Sequence, residues 1–141
     1  MGVLTYRRAR VVQLKRDTTP RPLGWVGSAK QDLLTFPAQV VAEVGHALYV
    51  AQTGGMHPNA KPLKGFGGAG VLEIVEDHDG DTSRAVYTVR FAEVIYVLHA
   101  FQKKSRHGIA TQKQDIEKVK ARLARAEQEH ATWLTIHRAK R

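Results

Sequence analysis

Apolar positions are densest in Val94-Ile-Tyr-Val-Leu-His-Ala-Phe-Gln-Lys-Lys104, where β-branched and aromatic residues run directly into a pair of lysines. That pattern predicts a buried strand whose far end emerges into a cationic site. Upstream, Arg84-Ala-Val-Tyr-Thr-Val-Arg-Phe91 predicts a second strand, with Ala92-Glu93 as a short hairpin turn between the two. Val71-Leu-Glu-Ile-Val-Glu76 predicts a third, joined to its neighbour by the polar turn Asp77-His-Asp-Gly-Asp81. That turn lacks the full ligand pattern and closing glutamate of an EF-hand, so it reads as a solvated hairpin turn.

Helical spacing lies on both sides of these strands. Ser28-Ala-Lys-Gln31 has capping-box spacing before a short helix through Leu33 and Leu34. Pro37 suits the first turn of a second helix, and Val40, Val41, Val44, Ala47, Leu48 and Ala51 give it one apolar face before Gly54-Gly55 stops it. His46 lies off that face with no histidine or carboxylate four residues away, so it reads as a surface histidine rather than a metal ligand. Thr111-Gln-Lys-Gln114 repeats the capping-box spacing ahead of a C-terminal helix striped by Ile116, Val119, Leu123 and Ala126. The expected class is α+β: a small antiparallel sheet of three to four strands, packed by two N-terminal helices and a C-terminal helix.

Composition narrows the function. The 141 residues, 43% of them hydrophobic, suit one core. Residues 1–23 read as a basic N-terminal extension, 24–134 as the folded domain and 135–141 as a basic tail. A net charge of +9, from 22 Lys/Arg against 13 Asp/Glu, suits a polyanionic partner. The absence of cysteine removes thiolate chemistry and sulfur metal sites and fits a reducing cytoplasm. No apolar stretch approaches the roughly 20 residues of a membrane span, and the start lacks the apolar core of a signal peptide. Met56 to Gly70 forms a glycine-containing loop carrying Lys61 and Lys64, but it matches neither a Walker A sequence nor a dinucleotide fingerprint. No cofactor or metal is expected.

In this order, Trp25-Val-Gly-Ser28, Lys61-Pro-Leu-Lys64, Val71-Leu-Glu-Ile74, Gly80-Asp-Thr-Ser-Arg-Ala-Val-Tyr87 and Leu98-His-Ala-Phe-Gln-Lys-Lys104 resemble the RelE/ParE toxin superfamily, in its phage-derived HigB-like branch. The resemblance spans about Gly24 to Glu129. It implies the toxin of a type II toxin–antitoxin pair: a metal-independent, ribosome-dependent mRNA endoribonuclease that inhibits translation, held in check by a cognate helix-turn-helix antitoxin. Lys61 and Lys64 match the family's basic loop, Arg84 the arginine opening the middle strand, and Lys103 and Lys104 the basic end of the last strand. Two departures stand out. Val75 replaces an arginine frequent in relatives, and no tyrosine follows Tyr96 near the C-terminus.

Metal-free RNA cleavage requires a base for the 2′-hydroxyl, positive charge for the phosphorane and an acid for the departing 5′-oxygen. Arg84, Lys103 and Lys104 suit the second task, and His99 and His107 suit proton transfer. Lys61, Lys64, Arg90 and Arg106 are the candidate RNA contacts, with Arg90 equally able to pair with Glu73 across the sheet. Alternation along the last strand leaves the direction of His99 open. Glu73 reads as a structural partner rather than a catalytic base. Two other functions fit the same residues: a non-nucleolytic ParE-like toxin acting on DNA gyrase, and a non-toxic basic module that binds RNA or a partner.

Overall fold

The computed structural model describes residues 19–67, 70–103 and 111–139. Strand β1 (Leu23–Trp25) leads into helices α1 (Ala29–Leu33) and α2 (Ala38–Gln52). Strands β2 (Ala60–Pro62), β3 (Val71–His78), β4 (Asp81–Thr88) and β5 (Ile95–Lys103) follow, and then the long helix α3 (Lys113–Ala139). Residues 1–18, where most of the expected basic extension falls, lie outside the described residues.

The five strands form one sheet in the order β1-β5-β4-β3-β2. β1 runs parallel to β5, whereas the other three pairings are antiparallel. The α+β class therefore holds, but the sheet is mixed and five-stranded where three to four antiparallel strands were expected. The two edge strands are only three residues long. Such segments are too short to display alternation, so their pairing depends on longer neighbours.

β3 and β4 meet at Asp79-Gly80, both with positive φ (51° and 84°), in the two-residue connection that matches the twist of a hairpin. The next connection departs from expectation. β4 stops at Thr88 and β5 starts at Ile95, so Val89 to Val94 replaces the two-residue turn predicted at Ala92-Glu93.

Each face of the sheet receives its own helical layer. Val40, Val44, Ala47, Leu48 and Ala51 of α2 pack with Leu72, Ile74, Ala85, Tyr87, Ile95 and Val97. On the opposite face, Val119, Leu123 and Ala126 of α3 pack with Val71, Val86, Tyr96 and Leu98. The capping box expected at Ser28 does not form as predicted. Pro37 is the N-cap of α2, and Ser28 caps α1 without a side-chain bond to a backbone amide, its hydroxyl donating instead to Asp32 at 2.7 Å. Arg21 donates to the Ala51 carbonyl at 2.8 Å, placing a cation at the C-terminal end of α2 where the helix dipole favours one. Among the described residues, no helix is long and apolar enough to cross a membrane.

Candidate functional site

A bulge in β5 sets the direction of the candidate chemistry. Val86 lies opposite His99 while Tyr87 lies opposite Val97, which makes Leu98 an extra residue in the ladder. Ile95 and Val97 face the α2 layer, yet Leu98 packs in the α3 layer and His99 follows it to that side. Bulges commonly re-aim a side chain in this way. The Leu98 carbonyl accepts a hydrogen bond from Arg122 Nη1 of α3 at 3.0 Å, and Arg122 Nη2 reaches Ser28 Oγ at 3.0 Å. One arginine thus ties the bulge to both α3 and the start of α1.

Beyond the bulge, the register lines up several predicted site residues on the α3 face. Lys61, Glu73, Val86 and His99 form one row across four strands, Val75, Arg84 and Phe101 the next, and Asp77, Thr82 and Lys103 a third. Adjacent strands lie about 4.8 Å apart, so the backbones of Lys61 and His99 are separated by about 14 Å.

Two polar clusters sit between the lysines. Arg84 Nη1 lies 3.1 Å from Glu73 Oε2, with both side chains about 5% exposed or less. Thr111 closes the triangle: its hydroxyl donates to Glu73 Oε2 at 2.8 Å and accepts from Arg84 Nη1 at 3.2 Å. A buried ion pair is held only when such extra bonds satisfy its remaining atoms. In the second cluster, His99 Nε2 donates to Asp115 Oδ1 at 2.9 Å and its ring stacks on Phe101 with centroids 4.7 Å apart. Asp115 lies in the first turn of α3, where the dipole stabilises a carboxylate.

Burial lowers the His99 pKa, and Arg122 and Lys118 push it the same way against the opposing bond from Asp115. The ring is therefore neutral at pH 7. With the proton on Nε2 fixed by Asp115, Nδ1 carries the lone pair, and it is buried with no hydrogen-bond partner among the described residues.

The remaining predicted residues are placed as follows. Lys61 and Lys64 are exposed on β2 and the loop after it, and Lys103 is half-buried at the end of β5. Arg90 pairs with Glu127 of α3 at 2.7 Å, so the partner of Glu73 is Arg84 and the expected Arg90–Glu73 alternative does not form. Lys104, Arg106 and His107 lie outside the described residues.

A family model described as phage-derived protein Gp49-like matches residues 31–124. The chain belongs to this Gp49-like family. The match includes four of the five segments that carry the resemblance to the RelE/ParE toxin superfamily, and it bears that resemblance out. No curated protein matches the sequence. Among solved structures, the chain is similar to a mutant of the E. coli toxin RelE in the free state, at 14% identity and a TM-score of 0.48, over 77% of this chain and 98% of that one. It is also similar to the RelBE2 toxin–antitoxin complex from Mycobacterium tuberculosis, at 17% identity and a TM-score of 0.43, over 60% of this chain and 100% of that one.

The Gp49-like chain also holds site residues that sequence reasoning missed. Thr111 reads in the sequence only as part of a capping box and Asp115 is not singled out there, because no spacing links them to His99 or Glu73. The sole available signal was an acid in a first turn beside a basic strand end. A third cluster, Glu93–His130–Tyr96, likewise has no sequence signature. His130 Nε2 lies 2.8 Å from Glu93 Oε1 and its Nδ1 lies 3.0 Å from the Tyr96 hydroxyl, clamping the distal half of α3 to the start of β5.

Proposed function

We propose that this Gp49-like protein is the toxin of a type II toxin–antitoxin pair and cuts mRNA on the ribosome without a metal, inhibiting translation in the cytoplasm until a helix-turn-helix antitoxin neutralises it. The observation that carries this reading is the His99–Asp115 pair, on the same sheet face of a basic protein as Lys61, which shares its cross-strand row, and Lys103, which lies four residues further along β5. His99 Nδ1, buried in the unliganded chain and uncovered as RNA binds, takes the proton of the 2′-hydroxyl, and Asp115 stabilises the imidazolium that forms. The freed oxygen attacks phosphorus. Lys61 and Lys103, joined by Lys64, Lys104 and Arg106, supply positive charge to the phosphate, and His107 protonates the departing 5′-oxygen. Arg84 contributes through the Glu73–Thr111 triangle that seats the start of α3 and hence Asp115.

Burial favours a second reading. His99 and Arg84 are each about 4% exposed, as expected of a polar layer that holds the fold together while the surface binds RNA, gyrase or another partner without cutting.

The test is to map transcript 5′ ends shortly after induction of the native chain and of Asp115→Asn and Lys61→Ala/Lys103→Ala variants checked for folding. New ends within translated reading frames, lost in both variants, are the expected result. Growth arrest with no new ends overturns the nuclease reading and directs attention to gyrase supercoiling.

A further inference from the structure

On the other side of the molecule, α2 presents Glu43 and His46 one helical turn apart on its solvent face, and the chain returns after Gly54 and Gly55 to bring His57 beside them. The His57 ring meets that of His46 edge-on with centroids 5.2 Å apart, and its Nε2 lies 3.7 Å from Glu43 Oε1. One donor atom from each of the three residues lies within 4.8 Å of the other two. Tetrahedral zinc holds N and O donors at about 2.0–2.2 Å, which places them about 3.4 Å apart. The cluster therefore needs a closure of about 1.4 Å at its widest, within reach of side-chain rotation on a rigid helix.

We infer that Glu43, His46 and His57 form a zinc site that fastens the loop between α2 and β2. Two imidazoles and one carboxylate match the borderline softness of Zn²⁺, and the exposed side of the cluster leaves room for water as fourth ligand. The sequence concealed this site because the carboxylate stands three residues before His46, and the third ligand comes from a loop eleven residues further on.

The hydrogen bonding around His57 makes the inference specific. Its Nδ1 accepts from the Asn59 backbone amide at 3.0 Å, so in the metal-free protein the ring proton sits on Nε2. Zinc at Nε2 displaces that proton, and a neutral ring then carries its hydrogen on Nδ1, facing the Asn59 N–H. Binding must break the Asn59–His57 bond. Asn59 keeps its side-chain bond to Glu76 Oε1, so the disturbance stays next to the loop entering β2.

The inference does not depend on toxin activity, and its test uses none. Zinc chloride is titrated into the full-length protein against a chromophoric chelator, with the backbone amides followed by NMR. The expected result is one zinc per chain at micromolar affinity or tighter, with the Asn59 amide shifting and exchanging faster. His46→Ala, at an exposed position, and His57→Ala each weaken binding by about a hundredfold, a loss at least as large as that of an outer-shell partner. Glu43→Gln, also exposed, weakens it without altering the fold. Absence of binding at micromolar zinc, or affinity unchanged in His46→Ala, overturns the inference, because the chain has seven histidines and another cluster would then be responsible.

Discussion

Tyr87 shows how a single side chain can work against the fold that contains it. Its ring fills the α2 layer, but its hydroxyl is buried with no hydrogen-bond partner among the described residues. Burial pushes its pKa up to about 12, since the phenolate has nothing to replace lost water. Between about pH 10 and 12 the unfolded chain has lost this proton while the folded one retains it, so stability falls as pH rises through that window. Tyr96 is shifted in the same direction, first by burial and then by Glu129 and Glu93, and adds to the fall. Tyr87→Phe removes an unsatisfied polar group at almost constant volume. Urea denaturation should show it more stable by about 1 kcal/mol at pH 7 and less sensitive to alkali than the parent.

At the scale of elements, the bulge in β5 depends on a bond from another element. Arg122 supplies it, so Arg122→Ala should destabilise the protein by about 2 kcal/mol, the range for a hydrogen bond to a charged group, measurable as a lower denaturation midpoint. It should also raise the pKa of His99, because Arg122 is one of the charges holding that pKa down; histidine NMR titration reports this separately from stability. The elements themselves were largely legible in the chain. α2 is legible in a helical stripe that is buried except at half-buried Val41, and β3 and β5 in apolar runs near their observed limits, whereas β4 spans Asp81–Thr88 instead of the expected Arg84–Phe91. What stayed hidden were contacts between distant residues. Nothing in the sequence places Thr111 beside Glu73, or Asp115 beside His99, until a strand has slipped by one residue and a helix has crossed it.

For the whole molecule, the net charge of +9 acts through where it is displayed. Arg84 and Arg90 are engaged with Glu73 and Glu127, whereas Lys61 and Lys64 are exposed at the sheet edge. The latter two are therefore the residues to examine for binding to phosphate. For single-stranded RNA, each phosphate contact contributes about 0.7 to the slope of log K against log salt, so the Lys61→Ala/Lys64→Ala double variant should flatten that slope by about 1.4. Filter binding across a salt series measures it, and an unchanged slope would place the RNA elsewhere. The Gp49-like match locates the chain in its family, but the division of labour between charge and scaffold comes from which basic residues the fold engages.

The extra residue at Leu98 gives one strand two phases. Before it, the odd-numbered positions Ile95 and Val97 belong to the α2 layer; after it, the odd-numbered His99, Phe101 and Lys103 belong to the α3 side, where the proposed chemistry lies. A strand of strict alternation would bind these two sets to one side, and selection for packing would constrain the chemistry. The phase change frees each half of β5 to vary on its own terms.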